Sequence, residues 1–509
     1  MPIRMVKDDE QPERNEGGNK GGSSSGLGKG ILGAVLGLAF KNPKLLIPII
    51  LLAGAAYFFL GKDKITTVAN QLLSMGCEMK TSVYDKAEVF EPLSPAAPGY
   101  GLPERVSLEQ YCPKRLNQGQ QGSCVGWSSS YAARTILQSI ATGKNPNEVK
   151  FSPSSLYNQI SLPGCQGAYI QNAMQVMQQK GVLPYSQFAY NENDCDKLPA
   201  KEQLDLMSQY KTKGFNRLTA SGENYSVDLE AIKQNLAQGA PVVIGMLVGG
   251  SFMQNMTDQD IWIPTQSDYD MRGFGGHAMC VIGYDDKYEG GALQIMNSWG
   301  EEWGNKGLGW VRYKDFLHFT KEAYGLYPMG NAAVDQDLFS IQFGLFDVDS
   351  KKSIPLKQQK GNVFETQNEV AKKSKFKVSV SNKNECYIYV FGQETDKSSY
   401  VLFPYTEKHS AYCGITGTRL FPKDYSMSPD EIGNRDVMAI VISKQQMDFN
   451  KLNTAINQVK GKTYAEKVNS ILDEEMLTNI SYKTGEYVGF ETKANGKNFA
   501  VLIVEVKKK

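Results

Sequence analysis

The sequence predicts an α+β protein built of more than one domain, and three observations carry that reading. Residues 124–141 (CVGWSSSYAARTILQSIA) follow a helical pattern, whereas HAMCVIGYDD, ALQIMNSWG and LGWVRY are short, glycine-punctuated runs of strand type. After about residue 335 the pattern changes to alternating segments (FKVSVS, CYIYVF, SYVLF, VMAIVIS and FAVLIVEV), as half-buried strands require. A length of 509 residues also exceeds one ordinary domain.

Taken in order, residues 1–30 are rich in Gly, Ser and charge (GGNKGGSSSGLGKG) and have almost nothing to bury, so a disordered tail is expected. Two apolar stretches follow, ILGAVLGLAF (31–40) and LLIPIILLAGAAYFFL (45–60), split by Lys41-Asn42-Pro43-Lys44. The second falls slightly short of a comfortable bilayer span. It gains reach if Lys44 and Lys62 snorkel, and Tyr57 with its neighbouring Phe residues suits an interfacial belt. A buried core helix and a cleaved signal peptide are the other readings of such a run. The signal peptide fits poorly, because about thirty polar residues come first and no clean small-x-small site follows. The expectation is a single-pass transmembrane helix within 31–61, with 31–40 lying against the membrane or beginning the same helix. Lys41 and Lys44 favour a cytoplasmic N-terminal side, blunted by Lys62 and Lys64, so the bulk of the chain is expected outside the cytoplasm, periplasmic or at the cell surface. Residues 62–104 end in EPLSPAAPGYGLP and read as a linker or short pro-region. A mixed α/β region over 105–332 and a β-rich domain over 333–509 complete the chain. One helix-like stretch, 450–475, lies between the last two strand segments.

Composition narrows the function. The formal net charge is +1, from 55 basic and 54 acidic side chains, so no global field argues for nucleic acid. The three histidines (His277, His318, His409) form no HExxH spacing and no CxxC pair occurs, so neither a metal nor another cofactor is expected. Eight cysteines spread over the chain do not make a small disulfide scaffold.

Three segments could carry chemistry. In Asn117-Gln118-Gly119-Gln120-Gln121-Gly122-Ser123-Cys124, glycines permit a tight backbone approach and the cysteine falls where a helix starts, where backbone N–H groups favour a thiolate. An imidazolium alongside lowers such a thiol further, to about 3–4 from about 8.5. Taken alone, a cysteine before a helix is more often a buried apolar side chain. The second segment is Gly275-Gly276-His277-Ala278-Met279, at the start of an apolar strand, where a histidine is more often a core residue. The third is Asn297-Ser298-Trp299-Gly300. An Asn oxygen can accept from one ring nitrogen of His277 and turn the other toward Cys124, and Trp299 can shield that bond from water.

Together these segments, from about residue 102 to 330, resemble the papain-like cysteine peptidases. NQG-x-x-GSC, GHA and NSWG-x-x-WG match the family's nucleophile, histidine and asparagine segments in the right order. GCQGAYIQNAMQVMQQKGVLPYSQFAY is similar to its Gly-Cys-x-Gly-Gly region, helix and Tyr-Pro-Tyr turn. The resemblance implies a two-lobed fold, a helical lobe against a β-barrel-like lobe. It implies Cys124 as nucleophile, His277 as base, Asn297 as orienting residue, and Gln118 with the Cys124 N–H as oxyanion hole. Gly167, Ala168 and Gly276 would offer main-chain contacts to an extended peptide, with Tyr169 walling the adjacent pocket. Val125 stands where the family usually has Trp, Ala168 replaces a family glycine, and the Cys124–His277 span is long, which implies an insertion around 252–274. No long helical prodomain precedes Cys124. Family disulfides in this half have each lost one end, leaving Cys165 and Cys195 to pair with each other or stay as two thiols. Residues 375–445 resemble an uncharacterised β-rich, sandwich-like domain appended to bacterial caspase-like and papain-like peptidases. His409, within it, reads as a surface histidine, and the partner of that domain is unknown. The expected function is a membrane-anchored bacterial endopeptidase acting on peptide or protein substrates, with membrane contact through 45–60. The alternatives are a papain-fold amidase or transpeptidase on cell-wall or cross-linked peptides, and a non-catalytic peptide-binding scaffold.

Overall fold

The structure, a computed structural model, describes residues 3–8, 75–97, 99–218, 226–329 and 337–509. The anchor expected in 31–61 lies outside these residues. Among the described ones, no helix is long and apolar enough to cross a membrane.

Residues 105–326 have one lobe of helices and one of strands. Cys124–Gly126, Trp127–Arg134 and Thr135–Thr142 run on as one helix, 124–142, whose middle is wound as a π-helix. It ends at Gly143, whose φ of +67° is the left-handed conformation that closes a helix without steric cost. An eight-stranded sheet forms the second lobe. Its order is Phe215–Arg217, Thr320–Leu326, Val242–Val248, Gly275–Asp285, Ala292–Met296, Leu308–Arg312 and Ile261–Trp262, with Arg105–Ser107 added against Gly275–Asp285. The two central strands are almost wholly buried, which is why VVIGMLV and HAMCVIGY read as continuous apolar runs rather than alternating ones. Their register pairs Met246 with His277 and Gly245 with Ala278. The stretch 252–274 adds Ile261–Trp262 to the sheet edge and buries Trp262, whose indole N–H donates to Ser251 Oγ at 2.9 Å.

Residues 337–509, joined by the strand Ile3–Lys7, form two seven-stranded sheets packed face to face. Alternation decides the layers. Met438, Ile440 and Ile442 of Arg435–Ser443 point into the core between the sheets, while Ala439 and Val441 face Phe449–Gln458 and Tyr464–Leu472 on the outside. The helix-like stretch is thus two helices, the second opened by a Thr463/Glu466 capping box.

Three expectations need correction. Residues 3–8 are not a disordered tail: Ile3–Lys7 pairs antiparallel with Tyr425–Pro429, Ile3 is buried, and Asp8 meets Lys377 Nζ at 2.6 Å. The described part of 62–104 is not a free linker. Tyr84 packs edge-on against Tyr324, Phe90 against Tyr327, and Val89–Phe90 pairs with His409–Ser410. Buried Arg419 ties this stretch to the sandwich, donating to the Glu91 carbonyl at 2.9 Å and to Asn382 Oδ1 at 2.7 Å. Third, His409 is half-buried over the Tyr405 ring, with centroids 3.8 Å apart, and is not a surface side chain.

Candidate active site

The helix start and the central strand of the sheet meet at Cys124. Ser123 precedes it at the N-cap, and the Ala278 N–H donates to Cys124 Sγ at 3.3 Å. His277, one residue earlier in that strand, has its Nε2 2.8 Å from Asn297 Oδ1, and Trp299 stacks on its ring at 4.5 Å with 28° between planes. Nδ1 of His277 has no hydrogen-bond partner among the described residues. A ring fixed through Nε2 keeps Nδ1 for the other side of the site. Asn297 Oδ1 is itself held by the Ser298 N–H at 2.8 Å.

Gln118 is fully buried and gripped at both ends. Its Nε2 donates to the Gln121 carbonyl at 2.8 Å, and its Oε1 accepts from the Ser298 hydroxyl at 2.6 Å. Ser298 was not singled out from sequence, although it stands in the NSWG motif. Tyr190 was missed as well. Its hydroxyl lies 2.7 Å from Ser123 Oγ and donates to the Gln118 carbonyl at 2.7 Å, while its ring packs on Trp127 at 4.8 Å. Trp127 therefore braces the loop before the nucleophile, beside a wholly buried Val125.

Of the residues expected to meet an extended peptide, Ala168 and Gly276 hydrogen-bond a segment of the chain itself. Residues 75–79 run through the cleft. The Cys77 N–H donates to the Gly276 carbonyl at 3.1 Å, Ala168 N–H to the Gly76 carbonyl at 2.8 Å, and Glu78 N–H to the Ala168 carbonyl at 3.0 Å. Close approach explains the glycines. A Cβ on Gly276 would meet the Cys77 carbonyl oxygen at 2.0 Å, and one on Gly167 the Gly76 oxygen at 2.6 Å. Tyr169 is half-buried at the N-cap of the helix Ile170–Gln179. The group turned toward Cys124 Sγ is the Gly76 N–H, while its carbonyl points away to Ala168. The segment thus fills the cleft with its backbone groups taken up by Gly276 and Ala168.

Cover sets the electrostatics. Burial pushes the Cys124 thiol up to about 11, against the pull of four N–H donors, and pushes His277 down to about 4, against its bond to Asn297. Both groups are neutral at pH 7 in this covered state. Cys165 and Cys195, thirty residues apart, are joined with their Cα atoms 5.9 Å apart, beside the Gly167–Ala168 wall.

Residues 103–325 match the model of the papain family cysteine proteases. An uncharacterized peptidase C1-like protein of Acanthamoeba polyphaga mimivirus is 28% identical over 224 residues, 42% of this chain and 69% of the viral one. Cathepsin K of Mus musculus is 29% identical over 213 residues, 40% of this chain and 58% of its own. Among solved structures, xylellain, a cysteine protease from Xylella fastidiosa, aligns with 50% of this chain and 95% of its own, at 22% identity and a TM-score of 0.41. Over residues 103–325, this chain is similar to the papain family of cysteine proteases.

Proposed function

We propose that the protein is a cysteine endopeptidase kept latent by its own residues 75–80. One observation carries the reading: His277 is fixed through Nε2 by Asn297, with Nδ1 unpartnered, in a strand whose next N–H touches Cys124 Sγ. Once the cleft opens and water returns, the burial that opposes charge is relieved, and the Cys124 proton passes to His277 Nδ1. The thiolate then attacks the scissile carbonyl. Its oxyanion is met by the Gln118 amide and the Cys124 N–H, and His277 gives its proton to the leaving amine. A water deprotonated by His277 splits the thioester, releasing the acid and restoring the thiol. The Cys165–Cys195 bridge favours an oxidising compartment, which supports a catalytic domain outside the cytoplasm.

The test is labelling by an electrophilic thiol probe together with turnover of a fluorogenic peptide library. Both are expected to vanish in Cys124→Ala while the far-UV spectrum is unchanged. Hydrolysis that survives in that variant removes Cys124 as nucleophile. Product transfer to added amines in place of hydrolysis would make the protein a transpeptidase.

A further inference from the structure

We infer that Cys386 and Cys413 are a second disulfide site, closed by the same oxidising conditions that keep Cys165 and Cys195 joined, and that the bond fastens the sandwich to residues 105–326. The two stand as thiols in this structure. Register brings them together. Cys386 opens the strand Cys386–Gln393, Cys413 ends the two-residue strand Tyr412–Cys413, and the antiparallel ladder sets them directly opposite each other. Opposed Cα atoms in such a ladder lie about 4.5–5.5 Å apart, within the roughly 4.4–6.8 Å that a disulfide spans. Opposed side chains also share one face, and here the two thiols hydrogen-bond each other. Closing the bond therefore asks for side-chain rotation rather than a shift of strands. Among the described residues, no other thiol faces a thiol across a ladder.

The two thiols are unequal. Cys386 is held well above the usual thiol range by its hydrogen bond to Cys413 and by burial. Burial opposes charge on Cys413 too, but the Cys386 bond and the Arg419 guanidinium together bring it below that range. Arg419 is itself buried, and it donates to Asn382 Oδ1 and to the Glu91 and Ile415 carbonyls. Cys413 is thus the attacking sulfur, reached while its two-residue strand is unpaired, as during folding. Its thiolate attacks one sulfur of an external disulfide, a small molecule such as oxidised glutathione or an oxidised dithiol protein. That S–S bond breaks, a mixed disulfide forms, and one external thiol leaves. Cys386 then gives up its proton and attacks Cys413 Sγ, releasing the second. Two protein thiols lose two electrons and two protons, and one external disulfide becomes two thiols.

Position gives the bond its purpose. Glu385, beside Cys386, pairs with Lys213. Tyr412, beside Cys413, sets its ring edge-on against Tyr327 with centroids 4.6 Å apart. Ile415 is buried in the core of residues 105–326. The Thr416 N–H donates to Gln238 Oε1 at 2.8 Å, and the Thr418 carbonyl accepts from the Ser94 N–H at 2.9 Å. Residues 412–418 are therefore a clasp between the two units, and its near end rests on a ladder of only two residues. A covalent tie at Cys413 would fix that end to a strand eight residues long in the middle of its sheet.

The experiment uses full-length protein refolded with oxidised glutathione, unfolded in an alkylating agent and mapped by mass spectrometry. The expected result is a cross-linked Cys386–Cys413 peptide beside the Cys165–Cys195 one. Full alkylation of Cys386 and Cys413 while Cys165 and Cys195 stay bridged overturns the site. In Cys386→Ser, Cys413 should carry a glutathione adduct, whereas in Cys413→Ser, Cys386 should remain alkylatable; the reverse pattern overturns Cys413 as the attacking sulfur. Amide exchange reads the fastening. The Ser94 and Thr416 N–H groups, which bond across the junction, should exchange faster in the Cys386→Ser, Cys413→Ser protein than in the oxidised parent, and equal exchange overturns that role. Should the variants fail to fold, the parent map decides the site, and exchange in parent protein before and after reduction, with Cys165–Cys195 quantified in the same map, decides the fastening.

Discussion

Gly76→Val should switch the protein on. Any Cβ at this position meets the Gly122 carbonyl oxygen at 2.0 Å, its carbon at 2.4 Å and Gly122 Cα at 2.6 Å. All three are backbone atoms of the loop that leads into Cys124, so no side chain can swing aside. The residue must lift, and it loses its N–H contact with Cys124 Sγ and its carbonyl bond from Ala168. At about 1 kcal/mol net per hydrogen bond, the covered state is weakened by about 2 kcal/mol, which multiplies the open-to-covered ratio by about 30. The rate of Cys124 labelling by an electrophilic probe reads that ratio directly while opening is rare. Gly101→Val is the control, since a Cβ there has nothing within 4 Å. A Gly76→Val protein with an unchanged melting curve and an unchanged labelling rate would refute the idea that residues 75–79 govern access.

Opening should also depend on pH. His277 is held at about 4 under cover, so uncovering takes up its proton between pH 4 and about 6.5. Glu322, which accepts the Lys80 N–H of the covering segment, is held at about 8 by burial, so uncovering releases its proton between about 4.5 and 8. The two effects oppose each other below pH 6.5, and only Glu322 acts above it. Labelling of the parent protein should therefore be flat from pH 5 to 6.5 and rise toward pH 8, while its ratio to Glu322→Gln, in which the His277 effect cancels, should rise throughout from pH 5 to 8; a flat ratio would detach Glu322 from the cover. Gln118→Ala, measured in the Gly76→Val background, should lower kcat by about 10²–10³, and a loss under threefold would mean the amide is not aimed at the oxyanion. In the same background, Asn297→Ala should be milder than His277→Ala, because orientation is lost while the base remains. Cys165→Ser with Cys195→Ser should cost about 3–4 kcal/mol in denaturant unfolding, from the loop that the bridge closes, and an equal loss on reducing the Cys386→Ser, Cys413→Ser protein checks the cause.

The proposed catalytic set was legible because each member sits in a short local motif. NQG-x-x-GSC, GHA and NSWG each place one functional side chain at a helix start or strand end, and the fold only has to bring three motifs together. What escaped was held by other means. Residues 75–79 grip the cleft through backbone N–H and C=O groups, which every residue owns, so MGCEM carries no pattern that announces the contact. Glu322 acquires its position from strand register, nearly two hundred residues after Cys124, and its own neighbourhood (FTKEAYGLY) reads as an ordinary strand. Ser298 and Tyr190 work by holding Gln118 and Ser123 still, a role that depends on packing rather than on residue type. In the sandwich, alternation foretold the strands, but not that five residues at the far end of the chain would extend one of its sheets.

That strand, Ile3–Lys7 against Tyr425–Pro429, has a topological consequence. A thread whose first stitch and last cloth are sewn together must cross any barrier between them an even number of times. With Ile3 buried in the sandwich and Asp8 bound to Lys377, residues 3–8 lie on the same side of any such barrier as the sandwich. Epitopes fused at the two ends of the chain should accordingly be reached by antibody from the same face of a sealed vesicle, and reaching them from opposite faces would mean that the strand pairs differently in the membrane-bound protein.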